Sequence, residues 1–262
     1  MGRGKLRILI TGANGYVAKA LTNYLSQDSY TVTAVSRKKF DLCNSAATNE
    51  FFKHNNFDIV IHTAVVGGSR LKADDTKVLD DNLQMYYNLL ANRNRYWRLI
   101  HFGSGAELYA TNTPYGLSKK IIADSILDKN NFYSLRIFGL FDEYELDSRF
   151  IKANLKRYLN NEPMYIHQDK YMTFFYMKDL FKLVEYYITT TSPPKQVDCC
   201  YSTNLSLRSI SDYINTLGNH KVSIQVEVSD LGFNYVGETC VDVPIDYIGL
   251  EQGIKEVYNK LK

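Results

Sequence analysis

A chain of 262 residues with 45% hydrophobic and 23% charged content has the make-up of an ordinary globular protein, which excludes disordered, collagen-like and coiled-coil classes. The length suits one large α/β domain, or a domain of roughly 150–180 residues with a smaller lobe, and it is enough to bury a sizeable core. A net charge of +3 is too small and too scattered to mark a protein of nucleic acids or membrane surfaces, so neither partner is expected.

The chain starts into Leu6-Arg7-Ile8-Leu9-Ile10, which reads as a strand rather than a secretory leader. Leu6 stands where an N-myristoylation signal has Ser or Thr, and no apolar run reaches the roughly 18 residues that a membrane span requires. The four cysteines, Cys43, Cys199, Cys200 and Cys240, have neither metal-ligand spacing nor the pattern of a disulfide framework. Reduced thiols, no metal site and a cytoplasmic location are therefore expected.

Compact, β-branched runs predict strands at Leu6–Thr11, Thr31–Val35, Ile59–His62, Arg98–Phe102 and Tyr133–Ile137. The segments between them are long enough for crossover helices, so the order β-α-β-α implies an α/β fold with a doubly wound parallel sheet of the Rossmann type. Beyond about residue 145 the pattern loosens into a helix over Ile151–Leu159, strands near Met164–His167 and Tyr171–Phe175, and helices starting at Met177 and Ser206. Residues 1–145 are expected to form a nucleotide-binding domain and 146–262 a smaller substrate-binding lobe, with 177–190 returning to the first part.

The first strand ends in Thr11-Gly12-Ala13-Asn14-Gly15-Tyr16-Val17-Ala18 and opens a helical run over Lys19–Leu25. Glycines in such a turn let the backbone approach a pyrophosphate, and the helix N-terminus offers it unpaired N–H groups. Where the second strand ends, the acidic residue that would take the ribose 2′-hydroxyl of NAD is missing, and Ser36-Arg37-Lys38-Lys39 stands there instead. A guanidinium beside a hydroxyl suits a 2′-phosphate, so NADP(H) is the expected cofactor, with Asp41 and Leu42 framing the adenine.

Tyr115-Gly116-Leu117-Ser118-Lys119 follows Pro114, a favoured first residue of a helix. The i, i+4 spacing puts Tyr115 and Lys119 on one helix face, where an ammonium makes the phenol a usable proton donor, the chemistry that reducing a ketone requires. The fourth strand runs on through Gly103, Ser104, Gly105, Ala106 and Glu107, which places a hydroxyl and a carboxylate at the edge of the sheet where ligands bind. Ser104 is the candidate hydrogen-bond partner of a substrate carbonyl, and Glu107 a candidate second acid–base; a turn-forming serine and a solvated loop carboxylate are the plainer readings.

Together, T-G-x-x-G-x-x-A at Thr11–Ala18, Y-x-x-x-K at Tyr115–Lys119 and the serine after the fourth strand resemble the extended short-chain dehydrogenase/reductase superfamily. The likeness continues through Asn82, Arg136-Ile137-Phe138-Gly139, the segment Phe174–Leu180, which resembles the family's F-x-Y-V-x-D-L, and Gly249–Ile254. The N-terminal half is most similar to the GDP-fucose synthase type of nucleotide-sugar epimerase-reductase, especially in Ala64-Val65-Val66-Gly67-Gly68.

The resemblance implies NADPH-dependent reduction of a nucleotide-linked 4-keto-6-deoxy sugar, with Tyr115 as proton donor, Lys119 on the nicotinamide ribose and Ser104 on the ketone. Further cofactor contacts would come from Gly12, Asn14, Gly15, Tyr16 and Val17, from Arg37, Lys38, Asp41 and Leu42, and from Thr63, Ala64, Val65 and Asn82. Val66, Gly67, Arg136, Arg149 and Lys152 would meet the nucleotide-diphosphate sugar, the basic groups suiting its diphosphate. The fucose synthases also carry a cysteine after the serine and a histidine beyond the fifth strand to epimerise C3 and C5. Here those stretches read Gly105-Ala106-Glu107 and Ser148-Arg149-Phe150, so epimerisation stays open. A nucleotide-sugar 4-epimerase and a non-catalytic sensor of NADP are the alternatives. The superfamily commonly dimerises through helices at positions like Leu79–Leu90 and Leu117–Leu127, which makes a homodimer the expected assembly.

Overall fold

The computed structural model describes residues 4–27, 30–69, 73–238 and 243–262. Its chain divides into two compact units, Met1–Arg136 with Tyr187–Val197, and Ile137–Tyr186 with Asp198–Lys262. The division falls before the boundary expected at 145, and the segment that rejoins the first unit begins at Tyr187 rather than at 177.

The first unit alternates β1 (Leu6–Thr11), α1 (Tyr16–Ser26), β2 (Tyr30–Val35), α2 (Ser45–His54), β3 (Ile59–His62), α3 (Thr76–Ala91), β4 (Arg98–Ser104), a short α4 (Ala106–Tyr109), α5 (Pro114–Leu127) and β5 (Phe132–Ile137). β1 from Ile8 onward, β3 and β4 are buried, which is why they read as compact, largely apolar runs, as strands covered on both faces do. Local chemistry sets the helix ends. Asn44 caps α2 by accepting the Ala47 N–H at 3.0 Å, and Thr113 caps α5 by accepting the Gly116 N–H at 3.1 Å, with Pro114 as the first helical residue.

The parallel sheet is ordered β2-β1-β3-β4-β5, with β9 (Gln196–Asp198) completing the far edge. Its register levels the strand ends: Thr11 lies opposite Val35 on one side and His62 on the other, and His62 lies opposite His101. The strand order reverses between β1 and β3, and the crevice above such a reversal is where Rossmann sheets take their ligands. A core of Leu9, Phe52, Val60, Tyr86, Leu89, Tyr96, Leu99 and Ile122 supports the sheet. Helices α3 and α5 join through Asn82 Nδ2 to Ser118 Oγ (3.1 Å) and Tyr86 to Ser125 (3.0 Å).

Arg98 fixes the returning segment. Its side chain is fully buried and donates to the carbonyls of Tyr187, Ile188 (3.3 Å) and Thr191 (3.2 Å), with the guanidinium 4.4 Å from the centre of the Trp97 ring and 5.1 Å from that of Tyr133. Tyr187 and Ile188 close the last turn of α7 (Met177–Thr189), so the buried cation satisfies carbonyls that a helix end otherwise leaves open.

The second unit holds β6 (Leu140–Phe141), α6 (Phe150–Leu159), β7 (Met164–Gln168), β8 (Phe175–Tyr176), most of α7, α8 (Leu207–Ile214), β10 (Ile224–Val228) and α9 (Leu250–Leu261). Its own core gathers Phe141, Leu155, Tyr158, Ile166, Tyr176, Ile210, Ile254 and Val257. Asp179, in the first turn of α7, accepts the N–H groups of Ile248 (2.7 Å) and Gly249 (3.0 Å) and the hydroxyl of Tyr201 (2.7 Å), which ties α7 to the start of α9.

The strand expected over Tyr171–Phe175 is broken. Tyr171 and Met172 form isolated bridges, while the Thr173 hydroxyl turns to Asn204 (2.6 Å) and to the Gly237 N–H (2.8 Å), so regular pairing is confined to β8 against β6. Cys200 is disulfide-bonded, contrary to the expectation of reduced thiols; Cys43 and Cys199 are free, and Cys240 lies outside the described residues. Among the described residues no helix is long and apolar enough to cross a membrane.

Candidate active site

The chain turns sharply where β1 reaches the strand reversal. Gly12 has φ +74°, and a β-carbon there would lie 2.8 Å from Cα of Ala64, so only glycine fits. Gly15 donates its N–H to the Gly12 carbonyl at 2.8 Å and serves as N-cap of α1. Helix α1 has neither a side-chain cap nor an acidic residue in its first turn, which leaves its N–H groups and positive dipole end to an anionic ligand. Thr11 joins this turn to the end of β3: its hydroxyl accepts the Ala64 N–H at 3.2 Å and lies 2.9 Å from Nδ1 of His62, and Thr63 donates to the Thr11 carbonyl at 2.7 Å.

A cavity of about 240 Å³ opens beside the turn, and Gly12, Asn14, Gly15, Arg37, Asp41, Leu42, Thr63, Ala64 and Val65 of the expected cofactor residues line it. Tyr16, Val17 and Lys38 stand outside that lining. Ser36, Phe40 and Met85 contribute to it as well. The last two were not anticipated as site residues, although Phe40 directly precedes Asp41 and Met85 lies three residues along α3 from Asn82, on its face. Asn82 works through the backbone, accepting the Val66 N–H at 2.9 Å and donating to the Val66 carbonyl at 3.0 Å, so it fixes the loop after β3. Arg37 is exposed, with Nε 3.8 Å from Asp41.

That loop leads to Tyr115. Gly67 and Gly68 both have positive φ, +80° and +73°, and the Gly68 N–H is held by the Asp74 carboxylate at 3.1 and 3.2 Å. A β-carbon at position 68 would fall 2.9 Å from the ring of Tyr115. Gly68, noted only within the Ala64–Gly68 segment, and Asp74 were not among the expected site residues; the paired glycines were the available signal. Tyr115 occupies the first turn of α5, half-buried, and Lys119 lies one turn on. The Lys119 Nζ is 5.8 Å from the centre of the Tyr115 ring and donates to the Phe102 carbonyl at 2.6 Å. Burial pulls the ammonium down to about 8, and Glu107 opposes that shift. Beneath it, His62 and His101 lie with ring centres 5.4 Å apart; burial and the Lys119 charge hold His62 down to about 3 and His101 well below the usual histidine range.

Ser104 ends β4, and its hydroxyl accepts the Ala106 N–H at 3.2 Å, which leaves its own proton to donate. Glu107 turns inward instead of toward a substrate. Its Oε1 accepts the Ser104 N–H at 2.9 Å and lies 3.3 Å from Nε of Arg136, and burial raises its carboxyl above the usual range against the pull of that arginine. Arg136, expected at the diphosphate, is thus committed to Glu107. Arg149 and Lys152 belong to the second unit: Arg149 is the exposed N-cap residue of α6, and Lys152 donates to the Glu145 carbonyl at 2.7 Å and pairs with Asp147 at 3.0 Å.

Comparison with known proteins agrees with this layout. The GDP-L-colitose synthase of Yersinia pseudotuberculosis is 29% identical over 161 residues, which are 60% of this chain and 48% of that protein, so the match spans under half the length of that relative. Among solved structures, the dTDP-4-dehydrorhamnose reductase of Bacillus anthracis in complex with NADP superimposes with a TM-score of 0.81 at 17% identity, covering 99% of this chain and 100% of that one. A GDP-D-glycero-L-gluco-heptose synthase of Campylobacter jejuni, solved in the presence of NADPH, gives 0.79 at 18% identity over 100% and 99% of the two chains. These likenesses show a shared fold. The family model described as "NAD dependent epimerase/dehydratase family" matches residues 8–200, most of the sequence. With the glycine turn, the strand reversal and the Tyr115–Lys119 helix in place, the chain belongs to the NAD dependent epimerase/dehydratase family.

Proposed function

We propose that the protein is an NADPH-dependent reductase of a nucleotide-linked 4-keto-6-deoxy sugar. The observation that carries the reading is the pair of Tyr115 and the buried Lys119, joined to the nucleotide cavity by the loop through Ala64 and Gly68. The residues present fit the cofactor: a cradle at Gly12 that a β-carbon would close, an uncapped helix N-terminus for a diphosphate, and Ser36 beside Arg37 for a 2′-phosphate. The GDP-L-colitose synthase, the dTDP-4-dehydrorhamnose reductase solved with NADP and the GDP-D-glycero-L-gluco-heptose synthase solved in the presence of NADPH, all named for nucleotide-linked sugars, support the same reading.

The nicotinamide supplies a hydride for the keto carbon when it is bound. Tyr115 gives its phenolic proton to the sugar O4, and the Lys119 ammonium stabilises the phenolate that remains. Ser104 donates a hydrogen bond to the ketone. Val66 and Gly67 stand as sugar contacts. Epimerisation at C3 or C5 needs a second acid–base in contact with the sugar. Glu107, turned under the strand, is not offered for that role, and we therefore read the reaction as reduction alone. Tyr87, Leu117 and Leu127 on α3 and α5 expose large apolar side chains, which supports a homodimer through those helices.

The test is an assay of NADPH oxidation in deuterated water with GDP-, UDP- and dTDP-linked 4-keto-6-deoxy sugars, followed by mass analysis of the product. Oxidation without solvent deuterium on carbon, lost in Tyr115→Phe with NADPH binding retained, is the expected result. Deuterium at C3 or C5 beyond enzyme-free controls would replace it with an epimerase-reductase. No oxidation with any donor would end the reductase reading.

A further inference from the structure

Glu107 is a carboxylate with 1% of its surface exposed, three residues past Ser104 in the turn that follows β4. Its Oε1 accepts the Ser104 N–H at 2.9 Å, pairs with Arg136 Nε at 3.3 Å, and fills the space that a β-carbon at Gly103 would need, 2.5 Å away. Its Oε2 is buried and has no hydrogen-bond partner among the described residues. Stripping water from a carboxylate this completely is costly, and one neighbouring guanidinium repays it only in part.

Lys119 grips the same strand end, donating to the Phe102 carbonyl at 2.6 Å. Backbone groups two residues apart on an extended strand point the same way, so the Phe102 carbonyl and the Ser104 N–H face one edge of β4, where Lys119 and Glu107 converge. The charged and titratable groups around them are Arg136 from β5, Tyr115 from α5, His62 from β3 and His101 from β4. Burial keeps both histidines neutral at physiological pH, which leaves Glu107 as the counter-charge of Lys119.

We propose that Glu107 is a positioning residue: its carboxylate, locked by Arg136, pins the Ser104 amide and supplies the negative charge that keeps the buried Lys119 ammonium cationic beside Tyr115. The role of this charge in turnover rests on the reductase reading above; its effect on Lys119 does not. Glu107 therefore acts through Lys119 and Ser104, without contact with the sugar.

The experiment measures the rate at which an amine-reactive acylating reagent labels Lys119 as a function of pH, read by peptide mass mapping in the parent, Glu107→Gln and Glu107→Asp. Glutamine keeps an acceptor for the Ser104 N–H and removes the charge; aspartate keeps the charge. The labelling midpoint is expected to fall by about one pH unit in Glu107→Gln and to stay near the parent in Glu107→Asp. Where the reductase is active, the basic limb of its kcat–pH profile moves down with the midpoint, and the KM for NADPH does not change. Arg136→Met gives a second route should Glu107→Gln fail to fold: the unpaired buried carboxyl takes up a proton, and the Lys119 midpoint falls again. An unshifted midpoint in either folded variant overturns the proposal. So does solvent deuterium at C3 or C5 of the parent's product that disappears in Glu107→Gln, which would make Glu107 an acid–base of the sugar. Absence of turnover in the parent overturns the reductase reading and leaves the labelling test intact.

Discussion

The backbone of Gly68 closes on the ring of Tyr115, with Cε2 and Cζ each 2.9 Å from where a β-carbon at position 68 would be. Gly68 also has φ +73°, a conformation that side chains of L-residues rarely adopt. Gly68→Ala should therefore displace either the loop or the phenol. Overpacking of this kind costs about 1–3 kcal/mol, so kcat should fall by about tenfold or more. The cofactor cavity is lined by other residues, and the dissociation constant of NADPH measured by fluorescence should stay at the parent's value.

Lys119 predicts a pH signature in stability as well as in rate. Burial lowers its ammonium from 10.5 to about 8 in the folded protein. Between those values the unfolded chain holds a proton that the folded protein has released, so stability rises with pH across the window. Below about 8 both states are protonated and the contribution is flat. Urea unfolding at several pH values from about 7 to about 10.5, in the parent and in Lys119→Met, isolates this term because the other titrating groups cancel. The parent should gain stability relative to the variant across that window; parallel curves would refute the burial of a titrating ammonium. Turnover should decline over the basic side of pH 8, as the charge that stabilises the phenolate is lost.

Arg37 lines the cavity and is exposed, with a long contact to Asp41. Arg37→Ala should weaken NADPH binding by about 10- to 100-fold and leave NADH binding within a factor of about two, since a charge-assisted contact to a 2′-phosphate is worth roughly 1.5–3 kcal/mol. Titration of both nucleotides by calorimetry reads the difference. Equal weakening of the two would place Arg37 on the surface with no part in selectivity.

Arg98 is a structural cation. It serves three carbonyls of the returning segment and lies over Trp97 and Tyr133. Arg98→Met should lower unfolding free energy by about 3–5 kcal/mol, because buried carbonyls lose their donors while the apolar volume is retained. Chemical denaturation measures it, and a change below about 1 kcal/mol would count against the role.

What could be read from the sequence was what neighbours in the chain decide. Strands β1, β3 and β4 are legible as compact, largely apolar runs, the Gly12–Gly15 turn through its position between strand and helix, and Tyr115–Lys119 through helical spacing. The two-residue pair β6–β8 and the three-residue β9 are too short to carry a period, and both depend on partners far along the chain. Glu107 reads from the sequence as a second acid–base or a solvated loop carboxylate, because nothing local reveals that Gly103 leaves it room or that Arg136 pairs with it. Asp179 was noticed as part of a family segment; its work, holding Ile248, Gly249 and Tyr201, is visible only once α9 is in place. Charge makes Arg136 and Lys152 candidates for a diphosphate, and only the fold shows that Arg136 pairs with Glu107 and Lys152 with Asp147.

The return of Tyr187–Val197 to the first unit has a consequence for how such proteins are altered. No single cut separates the two units into continuous chains: a fragment ending at Arg136 would lack the β9 edge and leave Arg98 buried without its carbonyls. Recombination that exchanges one lobe between relatives must therefore splice at three points, near 136, 187 and 197, and a library built on one crossover would yield mostly chains that do not fold. A hybrid that moves 137–186 and 198–262 together, and keeps 187–197 with its parent, is the exchange this topology permits.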